Sequence, residues 1–387
     1  MPQTKLMIPG PVDIPETIRE AMGVASMPHY GQDWICLFDE TKAMLQRVFG
    51  TQHDLYIMAG PGTMALEAAL GSALEPGDVV LVPSNGFFAD RVISLVEGLG
   101  LVPVRVSVPL GKPILPEVVE TALAAHPEVK ALAMVHHETS TCVLNPLESI
   151  AAVARAHGVL IVVDAVSSMG GVPLPVDKWD IDLCVTVANK VLETPPALSL
   201  LSISPRAWER IEARKAPRGW YMDLRTWRWY AQNWGDWHPT PVTMPTSNLY
   251  ALNRSLKLLL SDGEDGLQRR YAEYGKAATA VRRGLEAVGF PMLVEDAFAC
   301  PLTTAFCPRP GIDPADLQKA LLKDAGVMIS GGIGDLKGKI LRVGHIGLAR
   351  EYDYVVAFLL GVENYVRQQG VDIPVGQSLV AVKAMRQ

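Results

Sequence analysis

The sequence is poor in cysteine and has no long apolar run. Its five cysteines among 387 residues are scattered, and no two form a CxxC pair. This distribution is typical of reduced, mostly buried thiols in a cytoplasmic protein rather than of a disulfide framework. No stretch approaches the roughly 18 consecutive apolar residues that a membrane span requires, and the first residues lack the apolar core of a signal peptide. We therefore expect a cytoplasmic protein without a membrane segment.

The sequence also lacks an excess of positive charge. Lys and Arg number 35 against 41 Asp and Glu, which gives a net charge of −6. A surface that binds nucleic acid needs the opposite balance, because it must neutralise phosphates. We expect no nucleic-acid partner and no metal site.

What the sequence does contain is enough apolar residues for two cores. Its 387 residues exceed one ordinary domain, and 49% of them are apolar. In the first half, short apolar runs alternate with helical patterns, which indicates the βαβ order of a mainly parallel, doubly wound sheet. We predict strands at residues 55–58, 79–82, 102–108, 131–135, 159–163 and 198–203, and helices at 63–73, 91–99, 116–125 and 147–157.

The rest of the chain has a different pattern. Helical periodicity over 247–261, 266–288, 314–325 and 352–368 surrounds short strand-like runs at 292–294, 327–330 and 340–343. This mixture predicts a second, smaller α+β unit. We predict an N-terminal segment at residues 1–20, a large domain at 21–250 and a small domain at 251–387.

Six of the eight tryptophans lie between residues 204 and 241. Such density is typical of a packed irregular segment or an oligomer interface, because aromatic side chains bury much area at low entropic cost. An ordinary core edge explains it equally well.

An acid and a lysine follow two apolar strands. Asp164 ends one run, and Lys190 comes just after the next, 26 residues later. Ligands of open α/β sheets bind beyond the carboxyl ends of the strands, so the two side chains should emerge at the same edge. Alone, Asp164 would be a turn cap and Lys190 a surface residue. Together they fit a lysine that forms a Schiff base and the partner of a pyridinium nitrogen.

Three further features point to the same kind of site. The turn Gly60-Pro61-Gly62-Thr63 lies between a strand and a helix, where backbone N–H groups can bind an anion, although it is neither GxGxxG nor a P-loop. Phe88 follows another strand, where it would either stack on a planar cofactor or pack in the core. Arg342 lies within an apolar strand, where it would bind a carboxylate or phosphate or form a structural ion pair.

In this order, these features resemble the class V pyridoxal-phosphate (PLP)-dependent aminotransferases. The sequence is most similar to the group of alanine–glyoxylate, serine–pyruvate and pyridoxamine–pyruvate aminotransferases, from Ile8-Pro9-Gly10-Pro11 to the final helix. The resemblance implies a fold-type I PLP-transferase: a large domain with a mainly parallel, seven-stranded type of sheet and a smaller C-terminal α+β domain. It also implies a PLP cofactor and a homodimer whose active sites are shared between subunits.

The resemblance assigns roles to eight residues. Lys190 would carry PLP as a Schiff base and Asp164 would bind the ring nitrogen, so these two are the predicted catalytic residues. The other predicted contacts are Gly62 and Thr63 at the phosphate, Phe88 on the ring face, Thr139 within the stretch His136–Thr141 beside the ring hydroxyl, Thr243 reaching the phosphate of the partner subunit, and Arg342 at the substrate carboxylate.

Three positions depart from the family pattern. Ala188 stands where many relatives have a phosphate-binding serine, Thr240 where a phosphate-binding tyrosine is common, and Ala197 where glycine usually follows the double proline. The first two weaken the expected grip on the phosphate.

The predicted reaction is transamination between a small amino acid, alanine or serine, and a small 2-oxo acid, glyoxylate or pyruvate. An alternative is a pyridoxamine–pyruvate aminotransferase, for which the vitamer is a substrate. A third possibility is a non-catalytic subunit of a larger assembly. A cysteine desulfurase is disfavoured, because no cysteine follows Cys307 and the residue before Lys190 is Asn189 rather than histidine.

Overall fold

The computed structural model describes residues 4–215, 218–263 and 265–386. Its strands are β1 Lys5–Leu6, β2 Asp54–Ala59, β3 Val79–Ser84, β4 Val102–Ser107, β5 Val129–Val135, β6 His137–Glu138, β7 Val143–Leu144, β8 Leu160–Asp164, β9 Leu183–Val187, β10 Leu198–Ile203, β11 Thr303–Phe306, β12 Val327–Met328, β13 Ser330–Gly331 and β14 Leu341–Gly344. Its α-helices are α1 Glu16–Met22, α2 Gln32–Phe49, α3 Gly62–Ala73, α4 Phe87–Gly98, α5 Pro116–Ala125, α6 Leu147–Ala156, α7 Pro205–Ala213, α8 Leu224–Asn233, α9 Thr246–Leu259, α10 Asp265–Ala287, α11 Pro314–Ala320 and α12 Tyr352–Gln368.

A seven-stranded sheet with the order β2-β10-β9-β8-β5-β3-β4 forms the centre of the molecule. All its strands run in one direction except β10, which pairs antiparallel with both neighbours. Apolar side chains alternate between two cores: Leu132 and Met134 of β5 pack on one face, whereas Ala131 and Ala133 pack on the other. The sheet confirms the prediction of a mainly parallel, doubly wound architecture. Its strands are covered on both faces, which explains why their sequences are continuously apolar.

Strand β4 is the exception to the continuous apolar pattern. Its sequence is interrupted by Arg105 and Ser107, which are exposed together with Val102. The reason is its position at the end of the sheet, where, among the described residues, it pairs only with β3.

The C-terminal part contains a three-stranded antiparallel sheet, β11-β14-β13, which packs with α10 and α12. The predicted helix at 314–325 is α-helical to Ala320 and continues as a π-helical turn over Leu321–Ala325. The N-terminal segment joins this part, because β1 pairs in parallel with β12. The predicted domain boundaries stay predictions; the one at 250 falls within α9, and residues 1–3 of the predicted N-terminal segment lie outside the described residues.

The tryptophan-rich segment contains both buried and exposed side chains. Trp208 and Trp227 are buried in the core, on α7 and α8. Four more tryptophans are exposed and lie in one connected group of rings with their aromatic neighbours, namely Trp220, Trp229, Trp234 and Trp237.

The sequence predicted neither a membrane segment nor a metal site, and both features were sought among the described residues. Within them, no helix has both the length and the apolar character needed to cross a membrane. Nor do the described His, Cys, Asp and Glu side chains form a group of three or more that could hold a metal ion.

Candidate functional site

Six of the eight predicted site residues line one cavity of about 430 Å³. It lies beyond the carboxyl ends of β2, β5, β8 and β9, the edge at which α/β sheets bind ligands. The six residues are Gly62, Thr63, Phe88, Thr139, Asp164 and Lys190.

Asp164 is the last residue of β8, and it lines the cavity. The Val166 N–H donates to its Oδ1 over 2.9 Å, which is its only side-chain hydrogen bond among the described residues. Desolvation raises the pKa of Asp164 to about 6, although that hydrogen bond and the charge of Lys190 oppose the rise. A carboxylate placed in this way has an oxygen left for a further donor, and a cationic donor would suit it best.

Lys190 lies three residues beyond the end of β9, with its Nζ 3.4 Å from the Ser167 Oγ. Burial lowers the pKa of Lys190 to about 8, while the charge of Asp164 partly opposes this change. A lysine with a lowered pKa is unprotonated in a larger fraction near neutral pH, so it can act as a nucleophile or a base.

The turn after Lys190 is held by a buried ion cluster. Glu193 has a positive φ of 56°, which is unfavourable for a residue other than glycine. Its Oε1 lies 3.1 Å from Arg270 Nη2 and 2.7 Å from Arg350 Nη1. Arg270 also donates to the Val191 carbonyl over 2.9 Å. These contacts hold the backbone turn that directly follows Lys190 in one conformation.

The glycine turn begins α3 and presents two free amides. The preceding residue, Pro61, provides no side-chain cap, and within the described residues the amides of Gly62 and Thr63 donate to no acceptor. A Cβ on Gly62 would lie 2.8 Å from side-chain carbons of both Val166 and Val187, so only glycine fits. A helix N-terminus with open amides is suited to an anion such as a phosphate.

Phe88 lines the cavity from the first turn of α4, and the start of this helix is capped by a distant side chain. One carboxylate oxygen of Glu138 accepts the N–H groups of Phe88 at 3.0 Å and Ala89 at 2.9 Å. Sequence reasoning missed this role for Glu138, because the partners are about 50 residues apart and no local capping pattern announces them.

Arg342 is buried and does not line the cavity, but it contacts a residue that does. Its Nε donates to the Gly331 carbonyl and its Nη1 to the Thr139 carbonyl, both over 2.9 Å. Among the described residues it has no carboxylate partner, so the structural ion pair considered from the sequence is not seen. Desolvation lowers its pKa.

Thr243, like Arg342, does not line the cavity of its own chain, and it is exposed. Two of the three positions that depart from the family pattern are buried. The Thr240 hydroxyl donates to the Val242 carbonyl over 3.1 Å, and Ala188 is packed in the core. Neither lines the cavity, whereas Ala197 does.

His137 and Ser167 also line the cavity, although sequence reasoning assigned them no role. His137 Nδ1 lies 2.8 Å from the Ser167 carbonyl, so this nitrogen carries the proton. Its Nε2 therefore accepts from the Thr303 hydroxyl, also at 2.8 Å. Burial lowers the pKa of His137 to about 3, and the neutral ring braces the segment that contacts Lys190. The position of His137 in the His136–Thr141 stretch was its one sequence signal.

The chain is similar to known proteins over most of its length. The model of the family described as Aminotransferase class-V matches residues 17–338. The chain is 36% identical over 354 residues to an alanine–glyoxylate aminotransferase of Callithrix jacchus, a match that covers 90% of this chain and 84% of that protein. It is 30% identical over 378 residues to a pyridoxamine–pyruvate transaminase of Mesorhizobium japonicum, covering 97% and 95%.

One relative has a name of a different kind. The chain is 33% identical over 377 residues to a soluble hydrogenase small subunit of a Synechococcus strain, covering 95% of this chain and 96% of that protein. Among solved structures, a ureidoglycine–glyoxylate aminotransferase from Bacillus subtilis superposes with a TM-score of 0.92 at 29% identity, covering 100% and 98% of the two chains.

Proposed function

The chain belongs to the class V aminotransferases, and on that premise we propose that it uses PLP to move an amino group from alanine or serine to glyoxylate or pyruvate. The membership agrees with the resemblance seen in the sequence. The choice of alanine, glyoxylate and pyruvate rests on the names of the relatives, and serine is included because of the resemblance seen in the sequence.

The observation that carries the proposal is the pairing of Lys190 with Asp164 in one cavity. Both side chains line a cavity of about 430 Å³; the amine has a pKa lowered to about 8, and the carboxylate retains an open oxygen. The open amides at Gly62 and Thr63 fit its phosphate. The residues present therefore fit the cofactor.

When bound, PLP supplies an aldehyde that takes up amino groups and a pyridinium ring that accepts carbanion charge. Lys190 would hold the cofactor through Nζ. Once an amino acid has displaced it, the amine of Lys190 would be free to take up the α-proton as a base and to return a proton as an acid. Asp164 would bind the ring nitrogen, because its negative charge stabilises a cation there.

Two tests address the cofactor and the lysine. Purified protein mixed with PLP should gain a visible absorbance band, and borohydride should remove this band and leave the cofactor on the Lys190 peptide. Lys190→Ala should lose both trapping and turnover. A wild type that binds no PLP and transfers no amino group overturns the proposal. A screen of alanine and serine against glyoxylate and pyruvate then identifies the substrate pair.

Arg342 and Thr243 are proposed to act at the two ends of the site. Arg342 would bind the substrate carboxylate, which requires its guanidinium to reach the cavity beside Thr139. Thr243 would reach the phosphate in a second copy of the chain, and in support it is exposed and follows the exposed Trp237 by six residues in the sequence. Sedimentation should then detect a homodimer, and dilution to monomers should abolish activity; an active monomer contradicts a shared site.

A second candidate is amine transfer from pyridoxamine to pyruvate. Ala188 and Thr240 favour it, because neither provides a phosphate ligand in the cavity, and one relative carries this name. The open amides at the glycine turn favour bound PLP instead. Comparing pyridoxamine with alanine as amino donor separates the two. A non-catalytic subunit, the third possibility, would instead co-purify with an unrelated protein and transfer no amino group.

A further inference from the structure

Glu138 is a fully buried carboxylate that is not part of the mechanism above. Its Oε2 accepts the Phe88 and Ala89 N–H groups, as described. Its Oε1 accepts the Ser140 N–H at 3.0 Å and the Ser140 hydroxyl at 2.5 Å. Four donors therefore satisfy one carboxylate that would otherwise be costly to bury.

The hydrogen bonds have a fixed direction. Ser140 Oγ accepts the Phe87 N–H at 2.9 Å, so its own proton is free to point at Glu138. All four contacts require Glu138 to accept, which favours its ionised form, whereas burial raises the pKa of this carboxyl. The N-terminus of α4 also favours a negative charge at this position.

The local packing is built around this side chain. A Cβ on Gly86, the residue before α4, would lie 2.5 Å from Glu138 Cγ and 2.6 Å from its Cδ. Glu138 therefore lies against the backbone at the start of the helix. Thr139, the next residue in the chain, lines the cavity, and its carbonyl is held from the other side by Arg342.

We propose that Glu138 is a positioning residue, which locks Phe88 and Thr139 into one rigid frame and so sets the tilt and the affinity of the cofactor ring. The inference rests on the proposed function, because it assumes that these two residues contact that ring. Glu138 itself touches neither the substrate nor the cofactor in this scheme. It acts through the amides of α4 and through Ser140.

The central variant is Glu138→Gln, which keeps the size of the side chain but replaces one acceptor oxygen with a donor. The amide then faces N–H groups on one side, so either α4 or Ser140 loses its partner. We expect the dissociation constant of PLP to rise about tenfold or more, since hydrogen bonds to charged groups are among the stronger ones. The visible circular dichroism of the bound cofactor, which reports a fixed ring orientation, should fall as well.

Glu363→Gln is the matched control. Glu363 is equally buried, and it accepts the N–H groups of Gly376 at 2.7 Å and Ser378 at 2.9 Å, but it lies in the C-terminal part away from the cavity. This variant should lower stability and leave the PLP affinity and the dichroism unchanged. Equal effects of the two substitutions on PLP binding, or an unchanged Glu138→Gln variant, overturn the proposal.

Two further measurements cover the remaining outcomes. If Glu138→Gln does not fold, Ser140→Ala tests the proposal instead, because it removes the hydroxyl that donates to Glu138 and accepts the Phe87 N–H. An unchanged PLP affinity in this variant counts against the proposal. Amide hydrogen exchange in the cofactor-free protein should accelerate at Phe88 and Ala89 in Glu138→Gln. This readout does not need PLP, so a wild type that fails to bind PLP refutes the proposed function while unchanged exchange refutes the role of Glu138.

Discussion

Gly10 packs directly against the side chain of Lys190. A Cβ on Gly10 would lie 2.8 Å from Lys190 Cε and 2.9 Å from its Cδ, and the φ of Gly10 is +141°. The N-terminal segment therefore forms a wall of the lysine site, although it pairs with the C-terminal part through β1.

Gly10→Ala should displace Lys190 and impair its chemistry. The added methyl group collides with the middle of the lysine side chain, which cannot move aside without shifting Nζ. We expect at least a tenfold loss of borohydride trapping rate and turnover, equivalent to about 1.4 kcal/mol. Gly77→Ala is the control, because Gly77 has a φ of +91° but no atom within 4 Å of an added Cβ. Equal losses in both variants would point to backbone strain rather than to the collision.

Asp164→Asn should stabilise the cofactor-free protein at neutral pH. The pKa of Asp164 is raised to about 6 in the folded chain and is about 3.9 in an unfolded one. The raised value favours folding below about pH 4, and this contribution is lost as the pH rises through 6. The variant avoids the buried charge, so it should exceed wild type by up to ~3 kcal/mol above pH 6, with less where cavity water screens the group.

Urea unfolding at acidic and neutral pH measures this difference. The advantage of Asp164→Asn should vanish at low pH, and saturating PLP should reverse it, because the wild-type carboxylate then pairs with the ring nitrogen. Asp372→Asn, at an exposed position, supplies the baseline. A pH-independent difference between Asp164→Asn and wild type contradicts the assigned ionisation.

Lys190 should react with amine reagents at an unusually low pH. Its pKa is lowered to about 8 by burial, and the charge of Asp164 prevents a larger decrease. In the cofactor-free protein, reductive methylation of the Lys190 peptide should have a midpoint near pH 8, as followed by mass spectrometry. In Asp164→Asn the midpoint should move further down. A shift upward would mean that the two charges do not interact across the cavity.

The sequence was sufficient to predict that Asp164 and Lys190 lie at the same site, where both line one cavity. Both follow apolar strands that run in parallel, and the carboxyl ends of such strands share one edge of the sheet. The glycine turn and Phe88 could be predicted on the same grounds, because each also follows a strand of that sheet. The order of these features along the chain then indicated the family.

The parts that escaped prediction depend on contacts between distant segments. Glu138 caps a helix that begins about 50 residues earlier, and Gly10 meets Lys190 across 180 residues of sequence, so no local pattern reports either contact. The helix α2 was also missed, although it spans 18 residues. Thr243 differs from these, because its predicted partner lies in a second copy of the chain.

Glu193→Gln should destabilise the protein and disturb the lysine turn at the same time. Glu193 is 1% exposed, and the Arg270 and Arg350 side chains that it pairs with are 8% and 13% exposed. Removing its charge leaves Arg270 without a carboxylate partner among the described residues, while Arg350 keeps its ion pair with Glu273. Losing one partner of a buried pair costs about 3–5 kcal/mol. Because Arg270 also donates to the Val191 carbonyl, the rate of borohydride trapping at Lys190 should fall too.

Glu16→Gln is the control: it removes the exposed pair with Arg19 and should change stability by less than about 1 kcal/mol. A loss of stability in Glu193→Gln with unchanged trapping would show that the ion cluster supports the fold without positioning the lysine.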